Sequence, residues 1–461
     1  MKDSKIMRAL PFVAVVFIAL IVWAICYPAF MNGDSLVQYN QALTGNYDDW
    51  HPPVMAIILH YVLKLGGGIG FITLLQTVLG CLGIYLLSKQ VLQLFGASEK
   101  TKCYFPIVLL VFLLTPVTPL AFHLMAFIKD TWVVIGLVWI AYLALHLVQI
   151  KVNKLKNYKF FYVLLFIAML LVMLVRHNAI VLIPVFVLLL FFLSDAYINT
   201  GKFHVSGIMP GVYYLAIYFI LSIQINAAFK VTKTHPENQV YATECLGVLV
   251  NNMDDKKYLP YMYSHLTPIY QKAYIPGNVA PIMWWGPVKA VDTIFNRDDT
   301  AFTKQYYSLL THDLMAIARV KWDGFKMMLR PHVEKQWFHP MLDDNKYGLM
   351  QNGKLKGIRD KWIDAASNLH ETKLVHYGFG EHSLWILING AMLLFFFIKR
   401  RTKNAMFITV LLLPLTYYAS YLLASTGPDF RFMYPATLLV QVITVTLVVA
   451  LITRKKQALT V

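Results

Sequence analysis

Ten uncharged apolar stretches constrain this chain more than any other feature. They lie at roughly 9–30, 69–88, 104–122, 131–150, 160–175, 179–193, 207–228, 383–398, 405–424 and 432–452. A helix needs about 20 apolar residues to cross ~30 Å of hydrocarbon, and only a helix or a closed barrel satisfies its own backbone there. The composition agrees: 58% of residues are hydrophobic and 14% charged, where soluble domains carry about 25% charged residues. A soluble enzyme is excluded. The expected fold class is an all-α polytopic membrane protein of about ten transmembrane helices.

The net charge of +17 does not indicate nucleic acid, because the cations concentrate in short loops. With the first residues inside, the cytoplasmic loops hold eighteen Lys and Arg and the short outer loops only Lys64, Lys129, Arg176 and Arg431. That bias sets orientation and predicts both ends inside. The first stretch is uncharged for more than twenty residues, longer than the apolar core of a signal peptide, and reads as a retained helix. The remaining nineteen cations fall in 230–382, a long polar segment exempt from the bias. It is expected to be a mainly helical outer domain between membrane regions 1–229 and 383–461. Within it the periodicity predicts a helix over Lys304–Lys335, and the Pro-rich run Pro260–Pro287 predicts irregular chain. The four cysteines show no metal-ligand or disulfide spacing.

Ionisable groups near the apolar layer are costly and usually face a cavity, a partner or a pathway. Five acids gather at the outer boundary: Asp34, Asp48, Asp49, Asp130 and Asp429. At the same level lie His51, Lys129, Arg176, His177 and Arg431. Several spans thus deliver opposite charges to one level, which predicts a polar cavity opening outward. The first outer loop, 31–65, is the richest. Leu36, Tyr39 and Leu43 have the spacing of an amphipathic surface helix. Ser35 and Gln38 have capping-box spacing, and Gly45 suits a C-terminal stop. With Ser35 as cap, the Asp34 carboxylate is free; alternatively Asp34 is itself the cap. Pro52 and Pro53 start a second short apolar helix that runs to Leu65, and Gly66, Gly67 and Gly68 turn the chain into the next span.

An acid after the first span, an amphipathic helix and the element Trp50-His51-Pro52-Pro53 make the chain resemble the GT-C glycosyltransferases. The nearest branches are the O-antigen-modifying glucosyltransferases, with protein O-mannosyltransferases and lipid A aminoarabinose transferases more distant. The likeness includes Phe127-Ile128-Lys129-Asp130, Arg176-His177-Asn178 and Asp429-Phe430-Arg431-Phe432-Met433-Tyr434-Pro435. It departs from the lipid A branch in having His51 where Lys usually precedes Pro-Pro, so a phosphate contact there would depend on pH. The resemblance implies a GT-C-like fold in a bacterial inner membrane, with a polyprenyl (undecaprenyl) phosphate sugar as donor lipid and a periplasmic glycan such as O-antigen as acceptor. It also implies a general base at the first-loop acid.

Residue chemistry leads the same way. An outward cavity has no access to nucleotide sugars, so the membrane must deliver an activated donor. A phosphate leaving group needs cations, and Lys129, Arg176, Arg431 and His51 are the candidates. An acceptor hydroxyl needs a base in hydrogen-bond reach, for which Asp34 is preferred. Asp130 holds Lys129, orients the acceptor or acts as base instead. Candidate acceptor contacts are Asp49, Trp50, His177, Trp284 and Trp285, since aromatic faces pack on sugar C–H surfaces. Ordinary structural roles compete with each of these: a helix-start acid for Asp130, a local Asp429–Arg431 pair, turn residues for Asp48 and Asp49, and core packing for the aromatics. Clustered carboxylates permit a divalent cation, although no metal-ligand spacing demands one. An O-antigen polymerase or ligase, or a lipid-linked-sugar flippase, are the alternative functions.

Overall fold

The computed structural model describes residues 2–153, 158–252, 255–261, 274–275, 301–329, 342, 345–370, 372, 378–399, 404–424 and 429–458. Among them there is no strand, only isolated β-bridges such as Phe30 with Ala126 and Asp48 with Thr232. The first membrane region runs α1 (Lys2–Cys26), α2 (Gly33–Thr44), α3 (Val54–Lys64), α4 (Ile69–Leu94), α5 (Glu99–Leu113), α6 (Leu120–Met125), α7 (Lys129–Val152) and α8 (Tyr158–Val175). A 3-10 turn at His177–Leu182 leads into α9 (Ile183–Phe192), followed by α10 (Asp195–Thr200) and α11 (Met209–Ala228). The polar segment contributes α12 (Glu237–Asn251), α13 (Ala301–His312), α14 (Leu314–Leu329) and α15 (Lys356–His370). The chain ends with α16 (His382–Ile398), α17 (Asn404–Ala424) and α18 (Phe430–Ala458).

Seven of these helices, counted among the described residues, are long and apolar enough to cross a membrane: α1, α4, α7, α8, α11, α17 and α18. The protein is a helical multi-pass membrane protein. Three of the ten expected spans take a different form. Stretch 104–122 breaks after Leu113, where Pro116 and Pro119 lack the N–H that would continue the ladder. Thr115 donates to the Phe112 carbonyl at 2.6 Å and Thr118 to that of Leu113, occupying acceptors the ended helix leaves free. Stretch 179–193 begins as a 3-10 turn with Pro184 in the next helical turn, and 383–398 becomes the short apolar helix α16.

α7 is the most enclosed of the seven spans and packs against α4, α8 and α18. Gly136 lets α8 come close: a Cβ there would stand 2.2 Å from the Val172 side chain. By contrast α11 lies at the periphery, mostly exposed.

In the polar segment α12, α13 and α14 share a small core of Val248, Leu249, Tyr306, Leu309 and Ile317. The helix expected over Lys304–Lys335, whose residues 330–335 lie outside the described residues, is divided at Asp313, whose carboxylate accepts from the Ala316 N–H at 2.9 Å and so starts α14 as a cap. Lys321 pairs with Glu244 and donates to the Leu423 carbonyl at 2.8 Å, tying this unit to the end of α17. Most of Pro260–Pro287 lies outside the described residues.

Candidate functional site

The first turn of α2 is built by Asn32. Its side chain accepts from the Ser35 N–H at 3.1 Å while Ser35 Oγ faces the Asn32 N–H, so Asn32 caps the helix and Ser35 answers from N3. The capping box expected at Ser35 and Gln38 therefore sits one turn earlier, and Ser35 is not the cap. Asp34, in the first turn, is free of capping duty. Gly45 ends the helix in the left-handed region at φ 72°, as its position suggested. The amphipathic stripe is only partly realised: Tyr39 is buried and Leu36 packs against the core, but Leu43 is exposed.

Backbone pairing ties this loop to the chain just before α7. The Phe30 N–H donates to the Met125 carbonyl at 2.9 Å, and the Phe127 N–H returns the bond to Phe30 at 3.0 Å. On the other side, the Thr232 N–H donates to the Tyr47 carbonyl at 2.9 Å and the Asp49 N–H to Thr232 at 3.1 Å. Asp34 and His51 are thus fixed beside Lys129 and the start of α18.

There Asp34 and Arg431, 397 positions apart, meet at 3.0 Å. Arg431 also reaches Asp429 at 2.5 Å, so the local pair and the long-range pair coexist. His51 Nε2 stands 3.7 Å from Asp34, and the Lys129 ammonium lies 3.0 Å from His51 Nδ1. An ammonium can only donate, which makes Nδ1 the acceptor and leaves the ring proton on Nε2, facing Asp34. Arg176 pairs with Asp130, both buried, and its Nε donates to Asn178 at 2.9 Å. Asp130 is therefore held by Arg176 and not by Lys129, and its Oδ2 is buried with no partner among the described residues. The Phe432 ring lies close to both guanidiniums, 4.9 Å from that of Arg176 and 5.2 Å from that of Arg431. Stacked Tyr421 backs it at 5.8 Å.

Electrostatics divide the cluster unequally. Burial pushes the Asp34 carboxyl upward, but Arg431, His51 and Lys129 outweigh it and hold the pKa at about 2. Burial and Lys129 together push His51 down to about 3, against the opposing pull of Asp34, so the imidazole is neutral at pH 7. The pH-dependent phosphate contact expected of His51 is therefore not poised near neutrality. Asp34 and Asp429 share Arg431, Asp130 takes Arg176, and Lys129 makes no ion pair among the described residues. Lys129 is the cation best placed to receive a new anion.

The other expected contacts stand apart. The Asp49 carboxylate accepts from the Thr234 N–H at 2.6 Å and hydroxyl at 2.8 Å, while its carbonyl meets His177 Nε2 at 3.0 Å. Both groups join loop to loop. The Trp50 N–H donates to Asp48 at 3.1 Å, so Asp48 is a turn residue. Trp284 and Trp285 lie outside the described residues. Asn178, which bridges Arg176 to Ser420 (3.0 Å), and Phe432 stand within the motifs of the family likeness, but sequence reasoning gave neither a role. Their adjacency to Arg176 and Arg431 was the available signal.

Comparison with known protein families, with curated proteins and with solved structures finds no match. Among the described residues no group of three or more His, Cys, Asp or Glu could hold a metal ion. The arrangement can bind an oxyanion on Lys129 and the arginines, and it can offer the Asp34 carboxylate, two-fifths exposed, to a hydroxyl.

Proposed function

We propose that the chain is a GT-C-type glycosyltransferase. It moves a hexose, glucose being the preferred case, from polyprenyl phosphate to a hydroxyl of a cell-surface glycan such as O-antigen, on the non-cytoplasmic face of a bacterial inner membrane. The observation that supports this reading best is the convergence of Asp34, His51, Lys129, Asp130, Arg176 and Arg431 from separate elements, with carboxylate and guanidinium in direct contact.

In the reaction, Asp34 takes the acceptor proton as the hydroxyl oxygen attacks the anomeric carbon. The bond from that carbon to the phosphate oxygen breaks, its electron pair leaves with polyprenyl phosphate, and the anomeric centre inverts. Charge grows on the departing phosphate, where Lys129 and Arg431 stabilise it. A carboxylate held at about 2 is a weak base. The donor phosphate corrects this by competing for Arg431: as the guanidinium turns to the phosphate, Asp34 loses its strongest stabilising partner and its basicity rises.

The test is purified protein in lipid nanodiscs with polyprenyl-phosphate glucose and candidate glycans, read by mass spectrometry. A gain of one hexose is expected, and Asp34→Asn should lower it by about 100-fold or more. Absence of transfer from every polyprenyl-phosphate hexose, or transfer of a preassembled glycan, would overturn the reading.

A further inference from the structure

α2 carries more polar chemistry than its one carboxylate. Asp34, Gln38 and Gln41 are spaced i, i+4 and i+7, so they share one narrow face of the helix. From Asp34 to Gln41 that face rises about 10 Å, the span of one to two pyranose rings. Gln38 is 2% exposed and Gln41 4%. The amide oxygen of Gln38 and both amide atoms of Gln41 are buried and find no hydrogen-bond partner among the described residues.

Such groups are rare because each forfeits its hydrogen bonds to water on folding. The neighbours on α2 show that partners are available elsewhere on this helix: Asn40 accepts from the Tyr347 hydroxyl at 2.9 Å, and Ser35 bonds Asn32. Among the described residues, the unsatisfied amide atoms of α2 lie on the face continuous with Asp34. An amide offers a donor and an acceptor together, which is what a ring hydroxyl requires.

We infer that Gln38 and Gln41 form a sugar-hydroxyl subsite, holding a pyranose whose reacting end lies at Asp34. This rests on the glycosyl-transfer reading and gives it a specificity-determining surface. The ring belongs either to the donor or to the acceptor, and its hydroxyls would complete the unpaired amides.

The experiment compares the wild-type chain with Gln38→Leu and Gln41→Leu in nanodiscs. Binding is measured for polyprenyl-phosphate glucose, for polyprenyl phosphate without a sugar, and for neutral oligosaccharides of two to four hexoses. Thermal midpoints are recorded alongside. Each variant is expected to keep or raise its midpoint, since an unpartnered amide becomes apolar, while sugar binding weakens about 5–10-fold. Affinity for sugar-free polyprenyl phosphate should stay unchanged. Loss confined to the glucose lipid assigns the ring to the donor, and loss confined to the oligosaccharides assigns it to the acceptor. Leucine variants that bind both sugars like wild type would overturn the subsite and leave the glycosyl-transfer reading standing. So would a wild-type chain that holds lipid phosphate with no preference for sugar. Failure to bind any of the three ligands overturns both.

Discussion

Arg176 and Asp130 form an ion pair that is buried on both sides, with side chains 7% and 1% exposed. Removing one partner of such a pair strands a charge, whereas removing both does not. Arg176→Ala should therefore destabilise the protein by about 3–5 kcal/mol, and adding Asp130→Ala should return a large part of that loss. Thermal midpoints of the two single variants and the double variant in detergent check this, and additive losses would contradict it. His51 and Asp34 predict how stability follows pH. His51 titrates near 6.5 when unfolded and about 3 when folded, so the unfolded chain binds its proton first as pH falls. Stability present above pH 6.5 is lost progressively toward pH 3, and Asp34, moved from 3.8 to about 2, extends the loss at the acid end. His51→Gln should flatten the midpoint-versus-pH curve between about pH 6.5 and 4.

At the scale of elements, α2 shows why a site can be foreseen while its supports are not. Asn32, Ser35 and Gln38 are spaced three residues apart, so Asn32 with Ser35 and Ser35 with Gln38 both fit a capping box; sequence alone does not choose between two registers one turn apart. Packing chooses Asn32, because the Phe30 N–H is bound to Met125 and the helix must begin soon after that anchored strand of chain. Asn32→Ala should cost about 1 kcal/mol and reduce transfer by loosening the turn that carries Asp34, while Asn32→Asp, which keeps an acceptor oxygen, should preserve both. Circular dichroism melts with the transfer assay decide this. The same limit applies to the spans. Hydropathy finds apolar stretches, but Pro116 and Pro119 decide that 104–122 is a broken pair of helices, and the partner of a mouth residue is invisible until folding. Lys129 and Asp130 suggested each other by adjacency; being consecutive on a helix, they point about 100° apart, and Asp130 meets Arg176 from the end of α8 instead. The charged residues were legible because a charge beside hydrocarbon needs a reason to be there. Phe432 and Asn178 were not, since an aromatic or an amide at that level needs none.

Across the whole molecule, the helix ends define two levels. The chain four residues after α11 pairs with the first loop, since Thr232 N–H reaches the Tyr47 carbonyl at 2.9 Å, and His177 joins the same loop through Asp49. The charged cluster is therefore at the Ala228 end of α11. The helix itself, twenty residues from Met209 to Ala228, separates that level from residues 201–208 by about 30 Å, the thickness of a bilayer core. Asn46 and Lys202 are both exposed and lie at opposite ends of this separation. Eighteen Lys and Arg fall in the short segments on the Lys202 side and four on the Asn46 side, so insertion should leave Lys202 in the cytoplasm. Of the four cysteines only Cys103 is not buried. With Cys103→Ser as background, a membrane-impermeant thiol reagent added to intact cells should label Asn46→Cys and not Lys202→Cys, which should react only once the membrane is opened. Labelling in the reverse order would put the Asp34–Arg431 cluster on the cytoplasmic face, where nucleotide-activated sugars are present, and the need for a lipid-borne donor would lose its physical basis.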